Sequence, residues 1–173
     1  MKRVKMTVLV ATMALASFVT NAQEMAVTLE FDNAATANEI LHKYIKALQN
    51  GDVATMSAQL AENAMVHGLG GGMDSLNVAQ HTEYFKNSTT SFKHTITQDL
   101  YLPVKVENNW NEGEWVLTWG TNTITEKKTG KNILVPYHTV SLVENGKIIF
   151  MRYFYDMLNI LENQGFTITP PTE

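Results

Sequence analysis

Asp156 is the residue whose type and position could best do chemistry. It closes the run Arg152-Tyr153-Phe154-Tyr155-Asp156 near the end of a 173-residue chain. A carboxylate among aromatic rings can work as a general acid or base once its surroundings raise its pKa. An aspartate between a strand and a helix is also a good helix N-cap, so a structural role stands beside the chemical one. His138, between Tyr137 and Thr139, is the candidate proton carrier to pair with it, because an imidazole titrates near neutrality. The other histidines are His42, His67, His81 and His94. None stands in an H-x-H or H-E-x-x-H spacing, so a metal site is not expected. The chain has no cysteine, which excludes a thiol nucleophile and any disulfide. No nucleophile elbow is present.

Arg152 is the only arginine beyond Arg3. On one regular strand it would share a face with Asp156 at about 13 Å, too far to pair directly. A surface or interface position suits it better.

The elements that must position these residues can be read from periodicity. From Thr36, the residues Ile40, Leu41, Tyr44, Ile45 and Leu48 recur at the spacing of one apolar helical stripe. Asn50-Gly51 ends that helix, and Asp52 caps a second in which Val53, Met56 and Leu60 line up. Ala64 to His67 reads as a short strand. The cluster Gly68, Gly70, Gly71 and Gly72 then lacks the Gly-Lys-Ser/Thr and G-x-G-x-x-G patterns of phosphate loops, so it reads as a flexible loop over a cavity mouth. A third helix runs from about Asn77 to Thr89, with Val78, His81, Tyr84 and Phe85 on one side. Strands follow at His94–Glu107, with Pro103 as a bulge or edge, then Trp115–Glu126, Ile133–Val143 and Ile148–Tyr155. Asn145-Gly146 is a strong two-residue hairpin signal, since both residues tolerate positive φ. Asp156 opens a short helix through Leu158 and Leu161, closed by Gly165.

Residues 1–22 carry the layout of a secretory signal. Lys2, Arg3 and Lys5 precede an apolar run from Val8 to Val19, and Thr20-Asn21-Ala22 supplies small residues for cleavage. Such a run is too short to span a bilayer. Cleavage would take the formal charge from −4 to −7, a poor balance for binding nucleic acid. The expectation is a protein of the periplasm or the extracellular space with no membrane contact after cleavage. Residues 23–33 form an arm, 34–168 one domain, and 169–173 a flexible tail.

The order of these motifs resembles SnoaL-like domains of the nuclear transport factor 2-like superfamily. The likeness rests on the first helix followed by Gly51-Asp52-Val53-Ala54, and on the glycine-rich loop after Val66-His67. It rests also on Glu144-Asn145-Gly146-Lys147-Ile148 leading to Tyr153-Phe154-Tyr155-Asp156. It covers roughly Ala34 to Phe166. The resemblance implies an α+β cone (a curved antiparallel sheet packed against three N-terminal helices) enclosing a pocket. In this fold the regions of His67 and His81 line the cavity. Relatives include polyketide cyclases, ketosteroid isomerases, limonene epoxide hydrolases and dehydratases, so the fold leaves the chemistry open. The epoxide hydrolases need an Asp–Arg–Asp cluster, which one arginine without a clear second aspartate does not supply.

The expected pocket is walled by Trp119, Tyr137, Tyr153, Tyr155, His67 and His81, with Asp156 near its rim or floor and His138 close by. Along the last strand neighbours point to opposite sides. Burying Arg152 unpaired would cost several kcal/mol, which favours Met151, Tyr153 and Tyr155 facing in. The expected activity is cofactor-free acid–base chemistry, of isomerase, cyclase or dehydratase type, on a small hydrophobic or aromatic compound. The alternative is a non-catalytic binding or dimerisation domain, with Asp156 turned towards backbone amides. A homodimer is expected because one face of such a sheet would otherwise leave an apolar patch in water.

Overall fold

Alternation and helical periodicity divide the chain cleanly into sheet and helix. The computed structural model describes residues 26–70 and 74–169. The expected signal sequence, Gly71, Gly72 and Pro170 to Glu173 lie outside the described residues. In chain order the elements are β1 (Ala26–Thr28), α1 (Ala34–Asn50), α2 (Val53–Ser57), β2 (Leu60–His67) and β3 (Ser75–Asn77). There follow α3 (Val78–Ser91), β4 (Phe92–Glu107), β5 (Gly113–Glu126), β6 (Asn132–Glu144), β7 (Lys147–Tyr155) and α4 (Met157–Asn163).

α1 buries the stripe Ile40, Leu41, Tyr44, Ile45 and Leu48 together with Ala37 and Ala47. Gly51, at φ 70°, ends it in the left-handed conformation that costs glycine least. The Asp52 side chain accepts the Thr55 N–H at 2.9 Å, which starts α2. α3 opens with a capping box in which Asn77 and Gln80 satisfy each other's backbone amides. Asn145 and Gly146 both take positive φ at the β6–β7 turn.

The seven strands form one curved, unclosed sheet in the order β1-β4-β5-β6-β7-β2-β3. Five of the six pairings are antiparallel, and β2 runs parallel to β7. Leu60, expected on the second helix, instead opens β2 opposite Ile148. α2 is a single turn, and the chain beyond it alternates to bury Leu60, Ala64 and Val66 against the core. Pro103 pairs in regular register with Val116. The irregularity in β4 falls earlier, between Thr97 and Leu100, where Gln98 takes φ 55°. β1 pairs only with Lys105 to Glu107, so Pro103 lies where β4 is an edge, a position that tolerates proline.

The concave face of β5, β6 and β7 packs against α1 and α3. Val116, Val143, Ile148 and Met151 join Leu41, Tyr44, Met56 and Phe85 in one core. No helix among the described residues is long and apolar enough to cross a membrane.

A tyrosine-walled cavity with two polar ends

Between the sheet and the helices lies a cavity of about 200 Å³. Ile45, Leu48 and Phe85 close it from α1 and α3; Ile96, Ile133, Val135 and Tyr137 form its sheet wall; Met157 and Ile160 of α4 cover one end. Leu69, from the glycine-rich loop, is buried in its lining. Apart from the Tyr137 hydroxyl, the polar groups around the cavity gather at two ends.

At the first end three hydroxyl or imidazole groups form a buried chain. His81 Nε2 lies 2.7 Å from the Tyr44 hydroxyl, which lies 2.8 Å from the Tyr153 hydroxyl. Tyr153 lines the cavity, while Tyr44 and His81 stand behind it at 0 % exposure. Burial pulls the His81 pKa down to about 4, so its ring is neutral near pH 7. Burial also pushes the Tyr44 and Tyr153 phenols well above the usual range, so both keep their protons. His81 Nδ1 has no hydrogen-bond partner among the described residues.

Beside this chain Tyr84 and Tyr155 both donate to the Leu69 carbonyl, Tyr84 at 3.3 Å. The loop is tied down from its own side as well. The Asp74 carboxylate accepts the Gly68 N–H at 2.8 Å and the Gly70 N–H at 2.7 Å. Those amides are therefore occupied internally rather than presented to a phosphate. Gly68 is required here: at φ 82° a Cβ would stand 2.3 Å from the Tyr153 carbonyl oxygen.

At the second end Ser88 of α3, His94 of β4 and Asn122 of β5 all line the cavity. Ser88 Oγ lies 2.9 Å from His94 Nε2, and Asn122 Nδ2 lies 3.0 Å from His94 Nδ1. His94 is buried, and burial holds its pKa below the usual value; the Asn122 hydrogen bond opposes this and nearby Lys127 adds to it. Tyr137 lies between the two ends. Its ring crosses Gly120, where a Cβ would approach Tyr137 Cε1 to 2.9 Å, and its hydroxyl has no partner among the described residues.

The sequence-derived candidates are distributed over both faces of the sheet. Tyr137, Tyr153 and Tyr155 line the cavity. His81 stands behind it, linked through Tyr44. Trp119 and His67 do not line it, which corrects the expectation that they would, and of Tyr137 and His138 it is Tyr137 that faces in. Val66 and Tyr137 are buried inward, so their strand neighbours His67 and His138 point to the opposite face. There Trp119 stacks on His138 with centroids 4.8 Å apart, His138 on Phe154 at 5.7 Å, and His67 meets Phe150 at 5.0 Å. Arg152 shares that outer face, with its guanidinium 5.8 Å from the Phe150 ring centroid. Asp156 and His138 therefore do not meet in one pocket. The Asp156 carboxylate is exposed and accepts the Asn159 N–H at 3.0 Å, capping α4.

Ser88 and Asn122 had no motif to mark them. The available signal was Asn122 itself, a polar residue at an inward position of β5 among Val116 and Ile124. The register then puts Asn122 opposite Ile96 and diagonal to His94. Among the described residues no group of three or more His, Asp or Glu side chains could hold a metal ion.

A curved, unclosed sheet wrapped around a cavity and closed by helices defines the nuclear transport factor 2-like class. The SnoaL-like domain model matches residues 41–151, and the chain belongs to that family. A Bacillus subtilis protein provisionally named an isomerase superposes with a TM-score of 0.64 at 17% identity, over 78% of this chain and 96% of its own. A Xanthomonas campestris protein provisionally named a polyketide cyclase gives 0.64 at 17%, over 76% and 98%. An epoxide hydrolase of limonene-epoxide-hydrolase-like type from M. tuberculosis gives 0.59 at 15%, over 75% and 89%. At these identities the likeness is one of fold. No curated protein matches the sequence.

Proposed function

We propose that the cavity takes a small, largely apolar compound bearing a carbonyl or similar oxygen, and that the chain acts on it by cofactor-free acid–base chemistry. The observation that carries this reading is the buried chain from His81 through Tyr44 to Tyr153. A neutral imidazole holds one N–H, and burying an unpaired N–H costs more than burying an unpaired lone pair. With Nδ1 unpartnered, the proton belongs on Nε2. His81 then donates to Tyr44, Tyr44 donates to Tyr153, and the Tyr153 hydrogen is left to donate into the cavity. Each bond in such a chain polarises the next, so the last donor is strengthened. A donor of this kind stabilises negative charge developing on a substrate oxygen. At the far end the Ser88–His94 pair can take up a proton and return it elsewhere, which is the cycle of an isomerase, cyclase or dehydratase.

A second reading is a carrier that binds such a compound without turning it over. It is favoured by Asp156, whose carboxylate is engaged with a backbone amide at the start of α4. The basic start and apolar run of residues 1–22 support export to the periplasm or beyond. The exposed aromatic face around Trp119 and Phe154 supports a homodimer.

Binding of 4-nitrophenol tests the shared premise. The wild type should bind it, and Tyr153→Phe should weaken binding by about ten- to a hundredfold, the worth of one strengthened hydrogen bond. Equal affinity of the two proteins would remove Tyr153 from the site.

A further inference from the structure

The second polar end has a geometry that acid–base chemistry alone does not require. Ser88 Oγ, His94 and Asn122 stand in line, with a hydroxyl on Nε2 at 2.9 Å and an amide on Nδ1 at 3.0 Å. This is the order of nucleophile, base and orienting group found wherever a serine is activated for attack. We propose that Ser88 is a nucleophile, activated by His94 and oriented through Asn122, and that the cavity can turn over a small apolar carboxylic ester by acyl transfer.

Three further observations bear on it. All three side chains line the cavity, so the hydroxyl borders the space a ligand would fill. Asn122 Oδ1 is buried and has no partner among the described residues, while Nδ2 faces Nδ1. Turning that amide by half a turn places Oδ1 on Nδ1–H, fixes the proton there, and leaves Nε2 to accept from Ser88. The oxygen and nitrogen of an amide have nearly the same shape, so the turn needs no repacking; the Nδ1–H to Oδ1 bond replaces the Nδ2 contact, and Nδ2 moves to the buried place Oδ1 held. Finally, Tyr137 offers an unpartnered hydroxyl on the same strip of wall. It lies over Gly120, two residues from Asn122 on the same face of β5, and can donate to a carbonyl oxygen as it gains charge.

The cycle balances with water as the only co-reactant. The Ser88 oxygen attacks the ester carbon while His94 Nε2 takes the hydroxyl proton. The carbon–alkoxide bond then breaks, and the alcohol leaves with that proton. Water, deprotonated by His94, attacks the acyl group, releases the acid and restores Ser88. Asn122 is a positioning residue in this scheme, acting only through the ring. The groups facing His94 are Ser88 from α3, Asn122 from β5 and Lys127 from the turn after β5.

The inference rests on the preceding reading only in requiring a cavity that admits a small apolar molecule. Phenylmethylsulfonyl fluoride is such a molecule, and it sulfonylates an activated serine oxygen with loss of hydrogen fluoride. Peptide mass spectrometry of the treated full-length protein should find the adduct on Ser88 and not on Ser57, whose hydroxyl pairs with Thr82. His94→Gln should lower the labelling rate at least a hundredfold. Asn122→Asp should keep labelling and move its pH midpoint upward, because a carboxylate on Nδ1–H makes the imidazole more basic. No adduct on Ser88 of the folded protein, or a pH profile that Asn122→Asp leaves unmoved, would overturn the inference. Parallel binding of 4-nitrophenol separates the two readings. If it binds while Ser88 stays unlabelled, only the nucleophile falls; if neither occurs, both fall.

Discussion

On the proposed reading, His81 sets the direction of a whole hydrogen-bond chain through Tyr44 to Tyr153. Its pKa of about 4, against an ordinary 6.5, also ties stability to pH. Above about pH 6.5 the ring is neutral whether the chain is folded or not. As pH falls from there towards 4, the unfolded chain takes up a proton that the folded one refuses, so stability is lost in that window. The full effect is on the order of 3 kcal/mol. His94, shifted in the same direction by burial, adds to the trend. Thermal melts at about pH 7 and about pH 4.5 should show the loss, and His81→Gln should shrink the difference between them. Parallel losses in both proteins would contradict the assignment. Of these residues only part was legible in the sequence. His81 was marked by its place on the apolar side of α3 and Tyr153 by alternation along β7, but Tyr44 read as an ordinary core residue of α1. Pairing Tyr44 with both needs the depth at which α1 and α3 cross the sheet, which periodicity does not carry.

Elements explain why Asp156 and His138 part company. In β6 and β7 every second side chain faces the helices, and Tyr137 with Tyr155 takes that face in directly paired positions where it borders the cavity. His138 and Phe154 take the other. The alternation itself was readable, and so was the cost of burying Arg152, which together send Met151, Tyr153 and Tyr155 inward. The inward face of β6, and with it the place of His138, needed the β5–β6–β7 register. Asp156, at the junction of strand and helix, satisfies the first turn of α4. Asp156→Ala should cost about 1 kcal/mol through the lost cap, visible as a Tm lower by a few degrees, and should leave 4-nitrophenol binding unchanged. Lost binding at an unchanged Tm would return the carboxylate to the site.

At the scale of the molecule the sheet has one face committed to the core and another left to solvent. Trp119 is 38 % exposed, Phe154 49 % and Leu134 59 %, all on β5 to β7. We propose that this face is covered by a second copy, since a self-complementary patch of rings closes naturally about a two-fold axis. Protein recovered after export should begin at Gln23 and scatter light as twice the mature mass at micromolar concentration. Phe154→Glu should give monomer without loss of fold, because the residue stands outside the core. A wild-type protein of monomer mass, or one still carrying residues 1–22, would count against each part in turn. The helix order, the long strands and the α+β class were legible from periodicity and turn chemistry. The parallel pairing of β2 with β7 was not, because β2 is short and its partner lies more than eighty residues away.

On the proposed function, the cavity recognises a ligand oxygen through Tyr153. A crystal structure of the protein soaked with 4-nitrophenol tests it most directly. The ligand should lie inside the cavity, with an oxygen about 3 Å from the Tyr153 hydroxyl. A ligand stacked on the outer face between Trp119 and Phe154, with the cavity empty, would contradict it.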